Sequence, residues 1–415
     1  MGNRVFSART RIVCASILAS ALIVARRPSS ILHAQPFAED GTVFIEEQIH
    51  HGLWAVFLRY AGYYHLVPRL VAALGVHASM AAGAGISLAP LVMNACAVLT
   101  AGACATVLLW ARFDWLGPVW VRALMALAVV MLPISAEVFG NITNIQWWLG
   151  FVQVLSTWDM LRTRRAPSVP LLVLLVLASF SGPLGIIPAL AAAWLLAGRP
   201  AAPSALRLAV LLPGPAVEMA SVLTSPRSAV GAHPLTMMAR YLPRAVLTGV
   251  VSGQVLPNLP GTVNAVSFGT VSLLGATILV AVALCHGGRW RELGIPAAIF
   301  LGVSILTAAG ARYWPGSYYY PYHLTAGRYV FVPMALLAVC ILRSLWVALR
   351  GGVAPIVAAA LLVALMIATD AAHARLAPLQ QYGWARAVAA FDPSGAAICN
   401  VHIPPGLVMS LPCRG

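Results

Sequence analysis

The sequence predicts an all-α protein, a polytopic bundle of transmembrane helices, on three observations. Of 415 residues, 60% are hydrophobic and only 9% charged, against roughly a quarter charged in a soluble domain. Apolar runs close to the roughly 20 residues that cross a bilayer recur along nearly the whole chain. With no water in the hydrocarbon, each run must satisfy its own backbone hydrogen bonds, and a helix does so. The alternation that a β-barrel requires is not visible.

Read from the N-terminus, about eleven spans are predicted. They lie near 12–32, 80–110, 118–136, 144–160, 168–181, 184–198, 205–223, 267–285, 293–310, 328–348 and 353–370. The run Ile12–Ala25 is short for a span and resembles a signal-peptide core. Arg26 and Arg27 directly after it, and no small-x-small cleavage site, argue for a retained anchor. All 26 basic residues are Arg, and the formal net charge is +15. Arg4, Arg9 and Arg11 place the N-terminus in the cytoplasm. Arg112, the cluster Arg162, Arg164 and Arg165, then Arg199, Arg207, Arg289, Arg291 and Arg350 fall in loops of the same side. This is the positive-inside pattern of a multi-span membrane protein, and it excludes a nucleic-acid stripe.

On that topology residues 1–370 form the membrane domain, and 371–415 form a short periplasmic tail. Cys399 and Cys413 in the tail can pair in an oxidising compartment, although the sequence does not fix their connectivity. The outer face also receives a loop at 33–79, a Pro-punctuated stretch at 224–266 and the aromatic run at 311–327. The first loop is expected to fold as short juxtamembrane helices.

Acidic residues number only eleven, so their positions are informative. Glu39, Asp40, Glu46 and Glu47 crowd into the start of the first outer loop, where carboxylates beside hydrocarbon are costly. Asp40 can alternatively cap a short helix, with Glu46 and Glu47 on its solvated face. Further along the loop stands GYYHLVPRL, residues 62–70. The proline disfavours helix at Val67, so a helix is predicted from Pro68. Arg69 and the free N–H groups there would make an anion site. The alternative is an Arg that snorkels to the interface.

These segments resemble the GT-C superfamily of membrane glycosyltransferases, in a bacterial subgroup with AEDG, GYxHLxPRL, NxxNxQW and GRY motifs. Here the motifs read Ala38–Gly41, Gly62–Leu70, Asn141–Trp147 and Gly327–Tyr329. The resemblance covers the first third of the chain well and the rest sparsely. It implies transfer of a sugar from a polyprenyl-phosphate donor to a cell-envelope glycan or lipid acceptor at the outer face. It would make Asp40, or in second place Glu39, the catalytic base. Arg69 or Arg328, with His65, would bind the donor phosphate. Unlike the better-known members, this chain has no sizeable periplasmic domain.

Asn141, Asn144, Gln146 and Trp147 are candidates for holding sugar hydroxyls, with Glu137 a turn earlier. Equally, they are caps and interfacial aromatics. Tyr319, in the run Tyr318–Tyr320, offers either a sugar-stacking surface or a member of an aromatic belt. No phosphate-cradling Gly-rich loop is present, and His50–His51 is a weak metal signal. Glu39 and Asp40 offer oxygen ligands of the kind a hard divalent cation takes. The mechanism expected is direct displacement with inversion, the base activating an acceptor hydroxyl while Arg neutralises the departing phosphate. The competing reading is a lipid-linked-oligosaccharide flippase or other transporter. That would place its charges along a central path, whereas here the polar residues gather at one face.

Overall fold

The computed structural model describes residues 8–132, 136–224, 294–303, 328–348, 376, 378 and 380–414. The expected spans near 267–285 and 353–370, and the candidate Tyr319, lie outside the described residues.

The described chain is mostly helical. In order it forms α1 (Ala8–Arg26), α2 (Ser29–Leu32), α3 (Glu46–His51), α4 (Leu66–Ala81), α5 (Ala89–Thr106), α6 (Val119–Met131) and α7 (Ile145–Thr163). Then come α8 (Val169–Ser179), α9 (Ile186–Ala197), α10 (Ala202–Ala209) and α11 (Pro213–Thr224). Two further helices, α12 (Gly294–Val303) and α13 (Arg328–Ala348), precede the one-turn α14 (Trp384–Ala387). Among them α5 with the turn that extends it, Ala89–Leu109, has 21 residues and is long and apolar enough to cross a membrane. The other described helices are shorter or less apolar, so among the described residues one long helix does not stand behind each expected span.

The breaks have local causes. The stretch at 80–110 divides because Gly83 and Gly85 take φ of 71° and 56°, left-handed values that end α4 and that glycine adopts without strain. The stretch at 205–223 divides at Pro213, which lacks an N–H and disfavours helix at Leu212. The Ser181-Gly182-Pro183 turn separates α8 from α9, between the spans expected near 168–181 and 184–198.

Helix α7 is the central element. Ile145 to Met160 is buried at all but one position, and α5, α8, α9 and α13 pack around it. Helix α1 lies along α5. Arg26 and Arg27, which shorten the first apolar run, are buried. Arg26 donates to Val130 O and Leu132 O, and Arg27 donates to Phe139 O. Those carbonyls lie at and beyond the C-terminal end of α6, where the helix leaves acceptors without partners.

The tail departs from an all-helical fold. Strands β1 (Ala397–Ile403) and β2 (Leu407–Cys413) form an antiparallel hairpin closed by a Cys399–Cys413 disulfide. It seats on the first loop, where Ala38 N donates to Pro404 O at 2.7 Å and Ser410 N to Glu46 Oε2 at 3.1 Å. Gly41 makes this approach available, because a Cβ there would stand 2.5 Å from Ile403 Cδ1. Peptide mapping without reductant should recover Cys399 linked to Cys413. Reduction should weaken the hairpin by on the order of 3 kcal/mol, the loop-closure value for so short a loop. Alkylation of both thiols in unreduced protein would rule the bond out.

Candidate functional site

The loop at 33–79 folds as expected into short helical turns. Residues Asp40–Ile45 form a widened turn, α3 follows, and Gly52–Phe57 form a tighter one. Ala38 takes φ of 48°, an uncommon backbone for a residue with a Cβ. That turn separates the fates of Glu39 and Asp40.

Asp40 points inward and is 1% exposed. Its Oδ1 accepts the Thr143 N–H at 2.7 Å and the Thr143 hydroxyl at 2.5 Å, and its Oδ2 accepts the Phe37 N–H at 3.3 Å. Burial pushes its pKa up to about 7, against the pull of the Thr143 and Phe37 donors, and Glu39 adds to the rise. Asp40 thus ties the first loop to the turn before α7. Glu39 is half-buried, next to the Tyr60 hydroxyl, and its Oε2 has no hydrogen-bond partner among the described residues. Burial, together with Glu39, raises Tyr60 to about 12.

A second carboxylate joins this neighbourhood. Glu137 accepts from Arg328 Nη1 at 2.6 Å, and its Oε2 is buried without a partner among the described residues. Burial lifts Glu137 to about 7; Arg328 opposes the shift and Glu39 reinforces it. Arg328 also lies over the Tyr329 ring, 5.1 Å from its centre, and Tyr329 meets Trp147 edge-on at 5.3 Å. Glu39, Tyr60, Glu137, Arg328, Tyr329 and Trp147 therefore form one polar-aromatic cluster between the first loop, the N-terminus of α7 and the start of α13.

The expected anion site at Arg69 is corrected. Helix α4 begins at Leu66 rather than Pro68, and its first donors are occupied. Leu66 N donates to Phe180 O at 2.9 Å, Val67 N to Ser181 Oγ at 3.0 Å, and Arg69 N to His65 O at 3.0 Å. Pro68 has no N–H to offer. The Arg69 guanidinium is 1% exposed and donates to Glu47 at 2.5 Å, Ala55 O at 2.9 Å and Tyr64 O at 3.0 Å. One of its nitrogens, Nη2, has no hydrogen-bond partner among the described residues, but the rest of the guanidinium is committed to Glu47, Ala55 O and Tyr64 O. His65 is buried, with φ of 54°, and stacks on Tyr63 at 4.3 Å. Arg69 and His65 brace the loop from inside.

The amides of the NxxNxQW motif are largely structural. Asn141 and Asn144 both donate to Glu137 O, at 2.5 Å and 2.9 Å, and Asn141 Oδ1 accepts the Asn144 N–H at 3.1 Å. They hold the turn that presents Glu137. Gln146 Oε1 and Trp147 Nε1 are buried and have no hydrogen-bond partner among the described residues. Gly182 leaves room for Gln146, since a Cβ there would stand 2.8 Å from Gln146 Oε1. Among the described residues no group of three or more His, Cys, Asp or Glu is placed to hold a metal ion.

Sequence reasoning passed over Tyr60 and Thr143, neither of which carries a local signal, and treated Glu137 only as an adjunct. Comparison of the chain with protein-family models, with curated proteins and with solved structures gave no match.

Proposed function

We propose that this chain is a polytopic membrane glycosyltransferase. It would move a sugar from a polyprenyl-phosphate donor to a glycan or lipid acceptor at the periplasmic face. The observation that carries the reading is the Glu39–Tyr60–Glu137–Arg328 cluster. A carboxylate with an unpartnered oxygen stands beside a guanidinium, walled by aromatic rings and two unpartnered polar atoms.

In this reading Glu39 takes the role expected first of Asp40. A base needs an oxygen within reach of the acceptor hydroxyl, and both oxygens of Asp40 already accept bonds while Glu39 Oε2 does not. Arg328, 15% exposed, takes the donor-phosphate role in place of Arg69. Glu39 removes the hydroxyl proton as oxygen attacks the anomeric carbon, and the sugar–phosphate bond breaks with inversion. The phosphate leaves carrying its charge, which Arg328 neutralises as it develops. Glu137 orients Arg328, and Trp147 and Tyr329 offer ring faces to the sugar.

Membrane placement is supported by two features. Exposed apolar side chains such as Leu18, Leu99, Leu127 and Leu190 cover the outward faces of α1, α5, α6 and α9, a surface that soluble proteins avoid. Helix α7 has 19 residues, so the cluster at its N-terminus lies roughly 28 Å from the charged residues at its C-terminus. That separation is close to the roughly 30 Å of a hydrocarbon core. About eleven spans, with the N-terminus cytoplasmic and the tail periplasmic, remain our proposal for the full chain.

The test is transfer of radiolabelled sugar by purified protein from a panel of polyprenyl-phosphate sugars to envelope extracts. No transfer from any donor would count against the reading. Impermeant thiol labelling should find positions 39 and 396 on the periplasmic side and 164 on the cytoplasmic side. A cytoplasmic position 39 would end the lipid-linked-donor reading.

A further inference from the structure

At the far end of α7 from the cluster, a cavity of about 510 Å³ opens between the α7–α8 turn and the α9–α10 turn. That volume lies within the range of small-molecule sites, roughly 300–1,000 Å³. Arg112, Arg164, Arg165 and Arg207 line it, together with Ser168 and Ser204.

The arginines divide into two kinds. Arg112 is committed, because it pairs with buried Asp159 and donates to Ala166 O at 2.7 Å and Arg165 O at 2.9 Å. It fixes the α7–α8 turn. Arg164, Arg165 and Arg207 form no salt bridge with a carboxylate among the described residues. Arg164 lies over the Trp194 ring at 4.5 Å, a contact that leaves its edge N–H donors open. Three guanidiniums facing one cavity repel each other, and an anion seated between them would relieve that repulsion.

Two helix ends add to the field. Ser168 is the N-cap residue of α8 and makes no side-chain capping bond, and Ala201 is the N-cap residue of α10. Both lie on the cavity wall, so two helix N-termini converge there with three cations that form no salt bridge among the described residues. Helix N-termini favour negative charge. The Ser168 and Ser204 hydroxyls supply further donors, and guanidinium forks match phosphate oxygens in geometry.

We propose that this cavity binds a phosphoryl group. On the proposed topology it opens at the cytoplasmic surface, so the group belongs either to an anionic phospholipid headgroup or to free phosphate. The inference does not depend on sugar transfer at the other end of the molecule.

The experiment uses the full-length protein in neutral detergent. Native mass spectrometry would count phosphatidylglycerol and phosphatidylcholine retained per chain, and calorimetric titration would measure inorganic phosphate. The double substitution R165Q/R207Q removes two cavity cations. R9Q/R11Q removes the same charge from exposed residues of α1 and serves as control. Wild type and control should each retain one phosphatidylglycerol or bind phosphate, with phosphatidylcholine lost. In R165Q/R207Q retention should fall roughly tenfold or more, as expected for losing two charge-assisted partners.

Retention of lipid without phosphate binding assigns the site to a headgroup, and phosphate binding with the same Arg dependence assigns it to the free anion. Should R165Q/R207Q fail to fold, Ser204→Asp puts a carboxylate into the cavity. It lies in the first turn of α10, where a negative charge suits the helix, and it should abolish binding as well. Equal loss in R9Q/R11Q, full binding by Ser204→Asp, or no binding of either probe would overturn the proposal.

Discussion

Glu39→Gln should lower sugar transfer by roughly 10²-fold or more while leaving the protein as stable as before. The change keeps the size of the side chain and removes only its charge and basicity. Structurally little depends on it, because one carboxylate oxygen is unpartnered and Gln can still accept from the Tyr60 hydroxyl. Single-turnover transfer from a lipid-linked donor, beside a thermal unfolding curve, would separate chemistry from folding. Arg328→Lys should behave differently. Lysine keeps the charge next to Glu137 but loses the fork that grips a phosphate, so donor affinity should weaken along with turnover. Wild-type turnover by Glu39→Gln would remove the base assignment and leave Glu137, with its own unpartnered oxygen, as the remaining carboxylate of the cluster.

How far the sequence speaks depends on whether the partners in each interaction are near or far along the chain. Apolar runs that build α1, α5, α7 and α13 are local, and they are legible. So is the break at Ser181–Pro183, because Gly and Pro act on their immediate neighbours. The acidic window 39–47 stands out in the sequence, yet which acid faces inward is not readable there. That choice is made by Thr143, 103 residues away, whose two donors capture Asp40.

The same distance explains the error at Arg69. A helix N-terminus with an adjacent Arg is a fair anion site when its donors are free. Here Ser181, 114 residues later, and Phe180 already occupy them. Glu47 is closer in sequence, but only the fold of α3 turns it onto Arg69. Tyr60 was missed because a lone Tyr in an aromatic-rich loop has no pattern to distinguish it. The β-hairpin was missed because its strands are seven residues each and sit against the first loop rather than on a core of their own.

Asp40→Asn should change the pH dependence of stability more than it changes transfer. In the unfolded chain an aspartate ionises near about 3.9, whereas burial holds Asp40 near about 7 in the folded protein. Between those values the folded state binds more protons than the unfolded state. Stability is therefore greatest below about pH 4, falls as pH rises through the window, and levels off above about 7. Three pH units of displaced titration correspond to on the order of 4 kcal/mol. Asparagine carries no charge at any pH, so the variant should lose this part of the slope. Glu137 is displaced in the same direction, so a shallower decline should persist. At pH 5 the variant should be the less stable, by about 1–2 kcal/mol, because its NH₂ replaces the oxygen that accepts the Phe37 N–H. At pH 8.5 the order should reverse, since the wild type then holds a buried charge and the variant does not. Thermal midpoints in detergent from pH 5 to 8.5 would trace both curves. Parallel curves would show that Asp40 does not titrate in this window, and loss of transfer as deep as that of Glu39→Gln would return the catalytic role to Asp40.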